Sequence, residues 1–371
     1  KLNDPVGTEI KLEEYFDVFK ADKLELGLSA YSVIWDFFIP YSLTLALILA
    51  VAEVVLGLNL VLFHRVRGSL WTILILITFF TFLTFYSAVY NKVTDCGCFG
   101  DAIKLSPWQS FYKDVILLNI TVLLLTVSFW RPQYFLTEAS VRLKAILSTI
   151  ASLAAFGLGV YTINYLSIID FRAYKVGASI PDQMKPSAEL KYGPEVYVYL
   201  NKKTGKDEQF TAEVFMQEWK KLSDTTLFKF KKHQKPLLNP EALPKITDYK
   251  VTDAQGKDIT QETFKGKKLL IIVPQVSKTH SASYEKINRL IKLAEKANIQ
   301  PMIFTATDRT TFEAFSKQFK LTTIPFFFVD DTVLKTMIRS NPGIMLLDEG
   351  RVKGKWHYNS LPDNGVLAGI G

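Results

Sequence analysis

Hydrophobic positions along this chain fall into two regimes. From Tyr31 to Tyr165 they form long, nearly unbroken apolar runs; from Ile169 onward they are broken by lysines, acids, prolines and glycines. A run of roughly 17–25 apolar residues is long enough to cross a bilayer as a helix. Four such runs predict spans at about 33–63, 70–90, 111–130 and 145–166. The first exceeds a straight crossing, which implies tilt or an interfacial start, with a kink at Pro40. In the third, Phe111 and Tyr112 extend a short run from Val115 to Trp130. Trp71, Tyr90, Trp108, Trp130 and Tyr134 stand near the run ends, where amphipathic rings favour the headgroup level. Ahead of the spans, Thr8 is placed to cap a helix over about 8–19. Its Ile10, Tyr15, Phe16 and Phe19 share one side, with Glu13, Glu14, Asp17 and Lys20 elsewhere, a pattern that predicts a helix lying on the membrane surface.

In the second half the periods shorten. Residues 169–243 carry weak strand signals, Val196 to Leu200 with a turn at Lys203-Thr204-Gly205, and read as a connector with short strands. From 244 to 371 the pattern sharpens. A buried strand, Leu269 to Val273, precedes a helix over about Ser283 to Asn298 with Ile287, Leu290, Ile291 and Ala294 on one face. A strand at Met302–Ala306, a helix at Thr311–Phe319, a strand at Phe326–Val329 and a helix at Thr332–Ile338 follow. A hairpin closes the series, Gly343–Leu347 and Arg351–Tyr358, turning at Glu349-Gly350. Strands alternating with helices and closed by a hairpin imply an α/β sheet. The predicted fold class is therefore an α-helical transmembrane four-helix bundle over 1–168, joined through 169–243 to a soluble α/β domain over 244–371.

Composition agrees with that division: 371 residues, 49% of them hydrophobic, lie between the values for a soluble domain and a pure bundle. The net charge of +8 comes from scattered lysines. With no nucleic-acid motif and no basic helix interleaved with aromatics, nucleic acid is excluded as a partner, and a solvated surface beside anionic lipid headgroups is expected. Short-loop charge sets the orientation. His64, Arg65 and Arg67 follow the first span, and Arg131, Arg142 and Lys144 follow the third, so both loops belong in the cytoplasm. The loop between the second and third spans, with Asp95 and Asp101, lies on the other side, as does everything after the fourth. The expected location is the bacterial inner membrane with the C-terminal domain in the periplasm, a compartment that permits disulfides.

The chain has two cysteines, both in Asp95-Cys96-Gly97-Cys98-Phe99-Gly100-Asp101. Three readings stand: a redox or thiol-handling pair, a disulfide that shapes the loop, and a metal site. A three-residue ring gains only about 1.6 kcal/mol in the chain-entropy model, less than strained geometry can store, so a stabilising staple is a poor reason for the pair. The same strain makes the bond easier to reduce, which suits redox. Two thiolates with Asp95 or Asp101 could hold a soft metal, but no histidine is near and a closed site needs four ligands, so no metal is assigned. Glu53 stands inside an apolar run, where an ionisable group is a functional candidate; the alternative is a protonated carboxyl bonded to a Ser, Thr or Tyr. Asp36 is nearer the boundary and solvated, and Asn59 and Asn119 read as interhelical hydrogen-bonding groups.

The cysteine loop between two membrane helices resembles the MauE/DoxX family of small membrane proteins. So do Lys1-Leu2-Asn3-Asp4-Pro5-Val6-Gly7 with the helix that follows, and Glu53 with Gly57. The resemblance covers about Lys1 to Tyr165. In that family the Asn-Asp-Pro segment follows an earlier membrane helix, which implies one upstream of Lys1. MauE-like proteins are implicated in maturing a disulfide-rich dehydrogenase of methylamine utilisation, and DoxX-like proteins in quinone-coupled oxidation of sulfur compounds. Both are similar in plan to four-helix membrane thiol oxidoreductases, which pair cysteines beside a quinone. This chain has CxC where those have CxxC, and no second pair, which argues against an independent enzymatic cycle.

The C-terminal run, over about 244–360, resembles the thioredoxin-like fold in its thiol-reductase and peroxiredoxin branch. The resemblance is carried by GKDIT…FKGKKLLIIV and SNPGIMLLDEGRVKGKW, and Pro342 occupies the place of the fold's characteristic cis-proline. The branch's cysteines would fall in Pro274–Ser283, which here reads PQVSKTHSAS. Without cysteine the domain does no dithiol chemistry. His280 and Ser281 show no triad, and what remains is a groove beside Pro342 able to hold an extended polypeptide. The expected function is an accessory integral membrane protein for extracytoplasmic redox or protein maturation. Its partners would be membrane lipids and an extracytoplasmic or membrane protein, with the thioredoxin-like domain as a binding module. Two alternatives are a non-catalytic subunit of a larger membrane complex and a quinone-linked thiol oxidoreductase. No cofactor is firmly implied, and quinone is the one the third reading admits.

Overall fold

The computed structural model describes residues 1–25, 32–93, 100–103, 105–131, 140–363 and 365. The chain divides into two compact units: Lys1–Gly177 together with Val251–Gly371, and Ala178–Lys250.

The first unit opens with helix α1, Pro5–Glu25. Asp4 starts it: its carboxylate accepts from the Gly7 N–H (2.9 Å), and Pro5 takes the first helical position, where a missing N–H costs nothing. Then come α2, Ser32–Phe38, and α3, Ser42–Val61, joined by a short 3-10 turn at Pro40. Helices α4, Val66–Tyr90, α5, Pro107–Trp130, and α6, Val141–Tyr165, complete the bundle. Among the described residues four helical segments are long and apolar enough to cross a membrane: Ile34–Val61 and the three helices α4, α5 and α6. Ser106 and Gln109 form a capping box that, with Pro107, starts α5. At one end of the bundle Arg67 donates to the Ser128 carbonyl (2.9 Å) and lies over the Phe129 ring, and Lys144 reaches the Phe63 carbonyl (3.5 Å). The loop basic residues thus gather at one end. Helices α3 and α6 approach closely at Gly159, where a Cβ would lie 2.3 Å from Leu47 Cδ1.

The helix read as lying on the membrane surface is longer than the pattern suggested, and its apolar side is buried against protein. Leu12 and Phe16 are buried with Ala46 beside Trp35 and Phe38, and Tyr15 with Leu83 and Val93. Of its acids, Glu9 and Glu13 face the soluble domain, Glu14 pairs with Lys11 of the same helix and Asp17 is exposed.

In the unit Ala178–Lys250, short helix α7 is Ile180–Gln183. Strands β1, Val196–Asn201, β2, Lys206–Thr211, and β3, Phe228–Gln234, form an antiparallel sheet in the order β2-β1-β3, with helix α8, Ala212–Leu222, between β2 and β3. Tyr197 stacks on Phe215 of α8 (4.1 Å). The stretch expected to be a connector therefore folds as its own unit. Its lysine-rich edge strand β3 alternates only over Phe228–Lys231, too short a run to mark it in sequence.

The rest of the first unit is the α/β domain: β4 Lys267–Val273, α9 Tyr284–Lys296, β5 Gln300–Thr305, α10 Arg309–Gln318, β6 Phe326–Phe328, α11 Asp331–Met337, β7 Gly343–Asp348 and β8 Arg351–His357. The strand order is β6-β5-β4-β7-β8. Strand β4 pairs in parallel with β5 and antiparallel with β7, which makes it central, and Leu269 to Val273 are buried on both faces and read as an unbroken apolar run. Leu269, Ile271 and Val273 pack against Ile287, Leu290, Ile291 and Ala294 of α9 and against Phe312 and Phe315 of α10. The Asn341–Pro342 peptide is cis. This order, with a cis-proline just before the antiparallel strand, is a thioredoxin-like domain.

Candidate functional site

Three places collect the chemistry that the sequence singled out. The first is the cysteine loop. Asp95, Cys96, Gly97, Cys98 and Phe99 lie outside the described residues, and so does the side chain of Asp101. What holds the ends of the loop is described. Ser87 Oγ donates to the Val93 carbonyl, and Asn91 ends α4 in the left-handed region (φ 52°). Asp22 of α1 bonds both Tyr86 and Lys92, and these bonds hold its carboxyl below its usual pKa. Gly100 opens a 3-10 turn, Gly100–Ala102, at positive φ (57°).

The second place is an open cleft on the bundle, where the Glu53 side chain is 40% exposed. Glu53 pairs with the Lys1 ammonium rather than with a hydroxyl. A cavity of about 270 Å³ joins them to Phe80, Lys113 and Asp114. Asp114 is buried, accepts from Thr84 Oγ1 (3.0 Å) and pairs with Lys113 (3.0 Å). Asp114 escaped the sequence reading; a single acid near the start of α5 carries no periodic signal.

The third place is the groove beside Pro342. Asn341 Nδ2 donates to the Gln275 carbonyl (2.7 Å), and the His280 N–H donates to the Asn341 carbonyl (3.0 Å). The Pro274–Ser283 stretch is thereby tied to the cis-proline loop, and the His280 ring stacks on Tyr358 (4.4 Å, 6° between planes). Burial, and then the nearby His280, lower His357 to about 4.

This groove is partly covered. Helix α1 lies along one side of it and forms a wall of an open cavity of about 240 Å³, whose lining includes Glu9, Glu13, Gln275, Lys278, Asn341 and Tyr358. Lys278 pairs with Glu13 (3.1 Å), and Arg339 with Asp4 (3.0 Å), both Arg339 and Asp4 largely buried. At Gly7 a Cβ would lie 2.5 Å from Asp4 Oδ2 and 3.1 Å from Arg339 Nη2, so only glycine leaves the pair its place. Glu9 is raised to about 7, first by burial and then by Glu13, against the opposing charges of Lys278, Lys335 and Arg339. Asn3 closes the arrangement: its side-chain amide donates to the Ile169 carbonyl (2.7 Å) and accepts from the Ile169 N–H (3.0 Å).

The Asn-Asp-Pro-Val-Gly segment is thus the clasp between bundle and domain. The surface expected to hold a partner's extended polypeptide faces the chain's own first helix, because α1 presents acids where the groove presents Lys278 and Arg339. Sequence reasoning missed Glu9, Lys278 and Arg339. The one available signal was the Asp-Pro-x-Gly start of α1, which marks a cap but not its partner.

The family profile described as "Methylamine utilisation protein MauE" matches residues 15–131. No curated protein matches the chain. Among solved structures, the C-terminal domain is similar to peroxiredoxin Q of Xanthomonas campestris and to the mitochondrial 2-Cys peroxiredoxin of Plasmodium falciparum. Each is 15% identical, with a TM-score of 0.24, over 33% of this chain and 86% of that one. It is also similar to the bacterioferritin comigratory protein of X. campestris, at 16% identity and a TM-score of 0.24, over 33% of this chain and 87% of that one. The strand order and the cis-proline define the fold independently of these likenesses. The chain is a membrane protein whose residues 15–131 are similar to MauE and whose C-terminal domain is thioredoxin-like.

Proposed function

We propose that this protein is an accessory integral membrane protein for extracytoplasmic redox or protein maturation, set in a bacterial inner membrane with its thioredoxin-like domain in the periplasm. One observation carries the reading. The stretch where a thioredoxin-like domain would place its cysteines contains none and faces α1, so Cys96 and Cys98 are the chain's only thiols. The similarity to MauE over 15–131 includes that loop. In the proposed cycle a partner's thiolate attacks the Cys96–Cys98 disulfide and forms a mixed disulfide. The partner's second thiolate resolves it; the partner leaves oxidised, and the pair takes up two electrons and two protons. The domain acts as a fixed platform and would hold a partner by faces other than the Pro342 groove.

The test is trapping. In a Cys98→Ser chain the exchange runs in reverse: the Cys96 thiolate attacks the disulfide of the oxidised partner, one partner thiolate leaves, and the mixed disulfide should survive purification from membranes without reductant and be released by reductant. Replacing both cysteines with serine without loss of the partner's maturation would sink the redox reading. Stable co-purification with no adduct would instead favour a non-catalytic subunit of a larger complex. A second reading, a quinone-linked thiol oxidoreductase, is favoured by the bundle cavity, where Lys113 and Lys1 could donate to a quinone carbonyl beside Phe80 and Glu53. It predicts that quinone co-purifies, is reduced by added dithiol, and is lost in Glu53→Gln.

A further inference from the structure

Where the fourth span ends, the chain turns into a cluster with more positive than negative charge. Asp170 accepts from Arg172 Nε (2.7 Å) and from Lys355 Nζ (2.6 Å). The side chains of Arg172 and Lys355 are 3% and 4% exposed. Among the described residues Asp170 is the one carboxylate bonded to either, so two buried cations share one anion. The electrostatics of each group reflects the imbalance. Burial opposes ionisation of Asp170, yet the two cations hold it at about 2. Lys355 is lowered to about 7 by burial and by the like charge of Arg172. Arg172 Nη1 is also buried with no hydrogen-bond partner among the described residues. An unpaired guanidinium N–H in such a place costs free energy that an anion would recover.

Space for an anion adjoins the cluster. A cavity of about 180 Å³ is lined by Asp170 and Arg172, by Lys1, Asn3 and Asp4, and by Gly100 and Ala102. Its setting identifies the source of the anion. Ile168, Ile169 and Phe171 follow directly on α6, a membrane span, and each is more than half exposed. Apolar side chains so placed enter the bilayer boundary, at the depth where headgroups lie. We propose that the cavity beside Arg172 binds the phosphate of an anionic membrane lipid, with the guanidinium as donor, Lys355 acting from outside the cavity by holding Asp170, and Ile168, Ile169 and Phe171 against the acyl chains. Arginine suits the task because its planar fork matches phosphate oxygens. The site would lie beside the C-terminal end of the cysteine loop, so a bound lipid would brace that end.

The experiment uses the full chain in a neutral detergent and measures binding by native mass spectrometry, with unfolding temperature alongside. The probes are phosphatidylglycerol, phosphatidylcholine and inorganic phosphate. Phosphatidylglycerol should bind saturably and raise the unfolding temperature, while phosphatidylcholine at the same concentration should do neither. Lys355→Met leaves Asp170 to Arg172 alone, so the carboxylate competes harder for the guanidinium, and phosphatidylglycerol should weaken about tenfold. Asp170→Asn removes the competing carboxylate and should strengthen it, a change of sign that structural damage would not produce. If Lys355→Met does not fold, the Asp170→Asn gain is the deciding result. Equal binding of the two lipids, equal affinity in wild type and Asp170→Asn, or inorganic phosphate binding as tightly as phosphatidylglycerol would each overturn the proposal.

Discussion

Replacing Gly7 with alanine should loosen the soluble domain from the bundle. The added Cβ would lie 2.5 Å from Asp4 Oδ2 and 2.9 Å from Asp4 Cγ, closer than atoms tolerate, so the carboxylate must swing off Arg339. Removing one partner of a buried ion pair costs about 3–5 kcal/mol. Here the carboxylate is displaced and can still reach water, so roughly 1–3 kcal/mol of charge-assisted bonding is at stake. Alanine in place of a helical glycine returns up to about 1 kcal/mol. The net expectation is a loss of about 1–2 kcal/mol, a 5–30-fold shift in the opening equilibrium. Hydrogen–deuterium exchange of the detergent-solubilised chain reads this directly, as faster exchange in the first turns of α1 and in residues 335–342. Gly57→Ala is the reference, because nothing lies within 4 Å of a Cβ there. The pair is tested by Asp4→Asn, which should remove most of the Gly7→Ala effect in the double variant. If Gly7→Ala exchanges at the wild-type rate, or if the two substitutions add, the clasp does not depend on this contact.

Several other outcomes can be measured. Glu9 is held near 7 instead of its ordinary 4.5, so the closed arrangement binds more protons than an open one between those values. Its contribution to closure should be largest at low pH and fall as pH rises through about 7. His357, lowered to about 4 from 6.5, acts in the opposite sense over part of that window. The exchange rates of wild type and Glu9→Gln at pH 5 and pH 8 therefore need comparing, and a pH dependence that Glu9→Gln leaves intact would discount Glu9. Gly159→Val places its Cβ within 2.3 Å of Leu47 Cδ1 and should cost about 1–3 kcal/mol through overpacking. Gly157→Val, with open space around it, should be nearly neutral, and unfolding in detergent that fails to separate the two would contradict the α3–α6 approach. Serine at both Cys96 and Cys98 should leave that unfolding temperature within about 1 °C of wild type, since so small a ring stabilises little; a large fall would assign the pair a structural role.

The amino-acid sequence by itself determined the two regimes of this chain and the order of elements in the second. Apolar runs of membrane length are a local property, and so is the 3.6-residue spacing of Ile287, Leu290, Ile291 and Ala294 on α9. Pro342 at the head of the closing hairpin, and the lack of cysteine in Pro274–Ser283, were equally plain, because both are matters of residue identity at a place in an ordered series. The three-stranded unit was not legible. Its edge strand Phe228–Gln234 is exposed along most of its length and has no buried face to impose alternation. Nor was the meaning of the N-terminal segment. Asn3 finds its partner 166 residues away and Asp4 finds Arg339 335 residues away, separations over which no periodicity operates. An amphipathic pattern says that one side of α1 must be buried and that the other carries charge. Only the folded chain decides that the charged side meets Lys278 and Arg339 instead of water, and so turns a groove expected to face a partner toward the protein's own first helix.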